Sequence, residues 1–215
     1  MTERSHILDQ QNAARIEVTK LEFPISFRFR IGTLANDFMA IDASGRTIAY
    51  VRQKMFKLKE AIMIYSDESR TELLYQIKAD RWIDFNASYA FSDVKDVPVG
   101  SVGRRGMKSI WKASYQIFDP GKNLDFNIRE ENPWAKVFDS LLSEVPLIGL
   151  FTGYLFHPRY AVTNAQGTPV ARLSKESSFF GRKFKVDQLA EIDPRDGERI
   201  LLGLMMMILL ERRRG

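Results

Sequence analysis

Short apolar arms and polar turns alternate along the middle of the chain in a pattern that repeats. Each unit has an apolar or aromatic residue, three further residues, an Asp or Asn in a turn, then a second apolar arm often ending in Arg or Lys. The instances are FMAID (Phe38 to Asp42) with IAYVR (Ile48 to Arg52), MIYSD (Met63 to Asp67) with LLYQIK (Leu73 to Lys78), and YAFSD (Tyr89 to Asp93) with VGSVGR (Val99 to Arg104). Two more follow, YQIFD (Tyr115 to Asp119) with LDFNIR (Leu124 to Arg129) and YAVTN (Tyr160 to Asn164) with VARLSK (Val170 to Lys175). Asp42-Ala43-Ser44-Gly45, Asp119-Pro120-Gly121 and Asn164-Ala165-Gln166-Gly167 are residues that accept turn geometry, so each unit predicts a β-hairpin.

The units start at positions 38, 63, 89 and 115, about 25 residues apart, and the longer step to 160 contains an insertion. Within it Asn132 can cap a helix and Pro133 fits the first turn. Trp134, Val137, Phe138, Leu141, Leu142 and Val145 then keep the helical stripe until Pro146, predicting a helix over about 133–143. Ahead of the hairpins Ile25, Phe27, Phe29 and Ile31 alternate with Ser26, Arg28 and Arg30, as a strand with one polar face would. Phe184 to Ile192 predicts the final strand.

Ile200 to Leu210 reads ILLGLMMMILL, bounded by Glu198-Arg199 and by Glu211 with three arginines. As a helix this run extends only about 16 Å, against about 30 Å for a bilayer core. It therefore predicts a helix over about 197–212 that is apolar on every side because protein surrounds it. Asp196 is its expected N-cap, and Arg212 to Arg214 suit the negative end of its dipole. Five hairpins with one strand before and one after make about twelve strands, and open sheets of that size curl or close. Eight strands fill a barrel with their own side chains, whereas twelve leave a bore able to take one more element. The expected fold is mainly β, a closed antiparallel barrel of about twelve strands around a central hydrophobic C-terminal helix. Residues 1–24 form an N-terminal arm and 25–215 a single barrel domain.

Composition narrows the chemistry. The 215 residues are 45% apolar and 27% charged, an ordinary folded composition. There is no cysteine, which excludes disulfides, thiol catalysis, thiolate metal sites and S-palmitoylation. The two histidines, His6 and His157, are too few for a histidine metal site. Asp187, Glu191, Asp193 and Asp196 form an acidic stretch for which turn and cap roles suffice. No nucleophile elbow, P-loop or dinucleotide fingerprint occurs. The N-terminal residues read as no secretory signal, and no lipidation box is present. The expectation is a non-enzyme with no cofactor and no metal.

A net charge of +5 suits anionic partners. Lys54, Lys57 and Lys59 gather at one strand start. Arg104, Arg105 and Lys108 surround a Gly-rich turn whose amides at Gly103 and Gly106 suggest an anion-binding nest, and Arg182, Lys183 and Lys185 precede the final strand. These nine are the candidate lipid- or anion-binding residues. A solvated, charged barrel exterior is the plainer account of them.

The hairpin order, the stretches YVRQKMFKLKEAIMIY (Tyr50 to Tyr65), LLYQIKADRWIDFNASYAF (Leu73 to Phe91) and GSVGRRGMKSIWKASYQIFD (Gly100 to Asp119), and the terminal apolar helix resemble the Tubby C-terminal-like superfamily. Within it they resemble the LURP-one-related proteins and their phospholipid scramblase relatives, over about residues 25 to 212. The resemblance implies a twelve-stranded barrel closed around a hydrophobic C-terminal helix. The cysteine cluster and proline-rich N-terminal region of scramblases are absent, as is an EF-type calcium loop. The expected function is a non-enzymatic β-barrel binding module for anionic membrane lipid, phospholipid or phosphoinositide head groups. Such a module would be cytoplasmic, peripheral at a membrane and not transmembrane. The alternative is an interaction scaffold or regulatory protein docking a protein partner. Nucleic acid is not an expected ligand, because no helix carries a basic stripe for a groove.

Overall fold

The computed structural model describes residues 15–16, 20–30, 37–52, 61–80, 87–105, 114–131, 159–176 and 183–212. The expected helix over 133–143 lies outside them, as do His6 and His157. The strands are β1 (Ile25–Phe29), β2 (Phe38–Ile41), β3 (Thr47–Arg52), β4 (Ile62–Tyr65), β5 (Leu73–Asp80) and β6 (Ala87–Asp93). After them come β7 (Pro98–Arg105), β8 (Ser114–Phe118), β9 (Leu124–Glu130), β10 (Arg159–Asn164), β11 (Pro169–Glu176) and β12 (Lys183–Gln188). Each strand pairs antiparallel with its neighbours in sequence, and β1 pairs with β12 to close a twelve-stranded barrel.

Local chemistry explains why the hairpin recurs. Asp42, Asp67, Asp93, Asp119 and Asn164 each use Oδ1 to accept a backbone amide two or four residues ahead. The donors include Arg46 N at 2.9 Å, Ser69 N at 2.7 Å, Val97 N at 2.9 Å, Asn123 N at 2.7 Å and Thr168 N at 2.8 Å. An Asp or Asn that captures its own turn in this way replaces backbone bonds the bend has broken. Three residues on, every one of the five turns has a left-handed residue: Gly45 at φ 86°, Arg70 at 60°, Asp96 at 59°, Lys122 at 66° and Gly167 at 84°. Its amide returns to the carbonyl of the turn's Asp or Asn. A register shift precedes all five turns, between Ala40 and Ile41 in the first and at the matching place in the others. The sequence repeat is thus a bulged hairpin built five times.

Helix α1 (Pro194–Arg212) fills the bore. All of Ile200 to Leu210 is buried, as the all-round apolar run requires. It packs nearest β7 and β8. Glycine makes that approach feasible: a Cβ on Gly203 would lie 2.7 Å from Ile117 Cδ1, and one on Gly100 2.5 Å from the Phe118 carbonyl oxygen and 2.8 Å from Arg199 Cδ. The wall contributes Phe27, Phe38, Tyr75, Phe91 and Tyr115, all fully buried. At roughly 1.5–3 kcal/mol per large apolar side chain, this continuous interior is the main stabilising term.

Two boundaries differ from those the pattern suggests. The final strand ends at Gln188, not Ile192. The amides of Leu189 and Ala190 both turn to the Val170 carbonyl, at 2.9 and 3.3 Å, and the chain bends from the wall toward the axis. The helix N-cap is Asp193, not Asp196: its Oδ1 accepts the Arg195 amide at 2.9 Å and Pro194 takes the first helical position, where a missing amide costs nothing. Asp196 sits in the first turn, favourably placed against the dipole, and pairs with Arg199.

Candidate functional site

A simple up-and-down barrel has two rims with different inventories. All five tight turns and the start of α1 lie on one rim. The connections 31–36, 53–60, 81–86, 106–113, 132–158 and 177–182 join strands at the other, where α1 ends.

The turn rim is acidic, through Asp42, Asp67, Asp93 and Asp119 together with Asp193 and Asp196. The carboxyls of Asp42, Asp67, Asp93 and Asp119 are held below the usual range. Burial raises the Asp93 pKa, but hydrogen bonds from Arg15 and from the Val97 and Lys95 amides outweigh this and leave it below the usual range. Asp42 is lowered in the same way, burial being outweighed by Ser44 Oγ at 2.6 Å and by Arg46. A buried network also closes this rim. The Tyr75 hydroxyl donates to Glu198 Oε1 at 2.5 Å and accepts the Ile16 amide at 2.8 Å, while Arg15 reaches Asp93 at 2.9 Å. Burial first, then the Glu198 charge, pushes the Tyr75 pKa far up, so it remains a hydroxyl. Arg199 pairs with Asp125 at 2.8 Å beside it.

At the other rim basic residues outnumber acidic ones at the strand ends, although β5, β9 and β11 finish in Asp80, Glu130 and Glu176. Arg52 closes β3, Arg104 and Arg105 close β7, Arg129 and Lys175 are next to last in β9 and β11, and Arg159 and Lys183 open β10 and β12. The Arg or Lys at the end of a hairpin arm is therefore a rim residue, as the Asp or Asn is at the opposite rim.

Of the nine candidate residues, Lys54, Lys57, Lys59, Lys108 and Arg182 lie outside the described residues. The strand ends that bracket them nevertheless fix where their connections attach: β3–β4, β7–β8 and β11–β12, all on the basic rim and each four strands from the next. With strands about 4.8 Å apart and tilted by about 40°, a twelve-stranded barrel is roughly 24 Å across, so three evenly spaced rim points lie roughly 20 Å apart. Lys183 and Lys185 lie within β12, on the outer wall. Each has an acidic partner, Glu176 Oε2 at 2.6 Å and Asp187 Oδ1 at 3.1 Å.

Arg104 is not on the surface of a Gly-rich turn. It belongs to β7, paired with Tyr115 of β8, and only 3% of it is exposed. Tyr115 and Val102 are on the face of Ile117, which touches α1, so Arg104 points into the barrel; its guanidinium carbon lies 5.9 Å from the Tyr115 ring centroid. Gly103 lies inside the same strand, in register with Ser88 and Gln116, so its amide belongs to the sheet instead of a nest. Alternation with Val102 is the signal that marks Arg104 as inward-facing, and the reading of this stretch as a turn obscured it.

A model of the LURP-one-related family matches residues 47–195, from β3 into the first turn of α1. The chain belongs to the LURP-one-related family. The matched span contains ten of the twelve strands, including β7 with Arg104. The crystal structure of an Arabidopsis thaliana protein is similar at 12% identity and a TM-score of 0.48, covering 95% of this chain and all of that one. No curated protein matches the chain. Among the described residues, no helix is long and apolar enough to cross a membrane.

Proposed function

We propose that this LURP-one-related protein is a non-enzymatic binding module whose basic rim meets the anionic surface of a membrane, from the cytoplasmic side. The observation that carries this is the polarity of the barrel: acidic side chains are committed to turns at one rim, while at the strand ends of the other Arg52, Arg104, Arg105, Arg129, Arg159, Lys175 and Lys183 outnumber Asp80, Glu130 and Glu176. The connections that carry the candidate lysines and arginines attach to this rim at three points roughly 20 Å apart, a spread that supports an extended anionic surface as the partner. Each basic residue near such a surface contributes about 1 kcal/mol, screened over a Debye length.

Co-sedimentation with phosphatidylcholine vesicles, with and without phosphatidylserine or a phosphoinositide, tests the reading. Binding to anionic vesicles that weakens with salt, and weakens further in Arg129→Glu/Arg159→Glu, is the expected result. Both residues are exposed at the basic rim. Absence of binding at low salt ends the proposal and leaves docking to a protein partner as the alternative.

A further inference from the structure

We propose that the turn rim carries a docking site for a partner's segment in which an arginine is followed directly by a branched aliphatic residue, and that this chain's own Arg15–Ile16 occupies the site in the partner's absence. The inference concerns the rim opposite the one assigned to the membrane and does not rest on that reading.

Three elements build the site. β5 supplies Tyr75, the end of β6 supplies Asp93 and the start of α1 supplies Glu198, all buried. Their polar atoms face a single dipeptide. Asp93 Oδ2 accepts Arg15 Nη2 at 2.9 Å, and Glu198 Oε2 lies 4.0 Å from Arg15 Nη1. The Tyr75 hydroxyl, itself donating to Glu198, accepts the Ile16 amide at 2.8 Å. The Ile16 side chain is buried and joins the continuous apolar core. A guanidinium, a backbone amide and an aliphatic side chain are thus read in fixed order along the chain, the way a groove reads a peptide.

The hold on the arm is separable from the barrel. Among the described residues Arg15 and Ile16 make no backbone–backbone hydrogen bond, so they add no strand to the sheet and can leave without breaking its ladder. The Arg15 side chain is 37% exposed while Asp93 beneath it is 1% exposed, so a competing guanidinium can approach the carboxylate from solvent. The surroundings suit a basic and apolar partner. In a chain of net charge +5 the turns of this rim carry more acidic than basic residues, and all of these turns lie within the described residues. Val94 and Val97, in the turn that Asp93 caps, are exposed. Leu124 and Leu189, the other large apolar side chains exposed among the described residues, lie on the same rim. A tethered occupant acts at an effective concentration of about millimolar. A partner displaces it by adding contacts to Val94 and Val97 that the dipeptide alone does not make.

Fluorescence anisotropy tests the site on the full chain, with a labelled peptide of residues 11–20, QNAARIEVTK, as the probe. Three proteins are compared: wild type, Arg15→Ala/Ile16→Ala, which vacates the site, and the same double variant with Asp93→Asn added. Asparagine keeps the oxygen that caps the turn, as Asn164 does in the fifth hairpin, and removes the charge that faces Arg15. The vacated protein should bind the peptide on the order of tenfold more tightly than wild type, because an occupied site lowers apparent affinity by the fraction it leaves free. Adding Asp93→Asn should weaken that binding, and the peptide should raise the melting midpoint of the vacated protein. The order-swapped peptide QNAAIREVTK, of identical charge, should bind none of the three. Equal binding to wild type and vacated protein, or equal binding of the swapped peptide, overturns the site and leaves general attraction to an acidic rim. Absence of binding to a vacated protein that melts cooperatively also overturns it and makes the arm a structural strap. If the double variant fails to fold, Arg15→Ala alone must bind the peptide more tightly than wild type for the site to stand. Wild-type dimers that grow with concentration and vanish in the double variant would make the occupant a second copy and overturn a foreign partner.

Discussion

Three of the five hairpin turns place a residue with a Cβ where two others have glycine, and that difference is measurable. Arg70, Asp96 and Lys122 occupy left-handed backbone at φ 60°, 59° and 66°, equivalent to Gly45 and Gly167. An L-residue there costs roughly 1–2 kcal/mol. Changing it to glycine removes that strain but adds unfolded-state entropy worth about 0.4–1 kcal/mol. Arg70→Gly should therefore stabilise the protein by about 0.5–1 kcal/mol. Asp96→Gly should gain less, because it also removes the exposed 3.1 Å pair with Lys78, worth about 0–1 kcal/mol. The converse changes are equally defined. A Cβ on Gly45 or Gly167 would meet nothing within 4 Å, so Gly45→Ala and Gly167→Ala cost only the backbone term, about 1 kcal/mol. Urea unfolding followed by circular dichroism reads these differences in the midpoint, and at this size 1 kcal/mol corresponds to about 2–4 °C in a thermal scan. If X→Gly and Gly→Ala changes at equivalent positions shift stability in the same direction, backbone geometry is not what governs these turns.

The contact between Gly203 and Ile117 predicts a coupled pair: Gly203→Ala forces a 2.7 Å clash, and Ile117→Val, which removes the clashing methyl at about 0.5–1.5 kcal/mol, should recover stability in the double variant. Strict additivity in that cycle would contradict the close approach. The lowered pKa values of Asp93 and Asp42 mean that their stabilisation is complete above the unfolded carboxylate value near 4 and is lost as pH falls through the lower folded values. Arg15→Met should thus be less stable than wild type at pH 6, with the gap closing toward pH 2 to 3; a gap independent of pH would argue against the Arg15–Asp93 pair. Leu204→Ala should cost about 2–5 kcal/mol. Deleting residues 198–215 should leave a chain that unfolds or aggregates in size-exclusion chromatography, and a monodisperse, cooperatively melting product would refute the central helix.

The hairpins were legible because their signal is local: an Asp or Asn bonded to amides two and four residues on needs no knowledge of the rest of the fold. Helix α1 was legible for the opposite reason, since an uninterrupted apolar run can be buried only if everything surrounds it. What misled was tertiary. Leu189, Ala190 and Ile192 continue a strand-like pattern, but the chain must leave the wall there to carry α1 inside, and nothing local marks that bend. Asp193 and Asp196 are both competent caps; Pro194, which fits the first helical position, distinguishes them. In the candidate site, charge was readable and direction was not. Arg104 and Lys183 look alike as basic residues near strand ends, yet register turns the first into the barrel and leaves the second on the wall beside Glu176.

The pairing of β1 with β12 has a consequence for how the chain is made. The first strand has no edge partner on one side until residues 183–188 exist, and the segment that fills the bore is synthesised after that. A nascent chain therefore presents eleven strands of an unclosed sheet with its apolar face empty, and the contacts that complete it join opposite ends of the sequence. Such long-range closure is slow and leaves intermediates prone to association. Production of this protein should accordingly depend on holding the incomplete sheet apart from others until the last twenty or so residues arrive, so chaperone supply would govern yield more than the stability of the finished barrel.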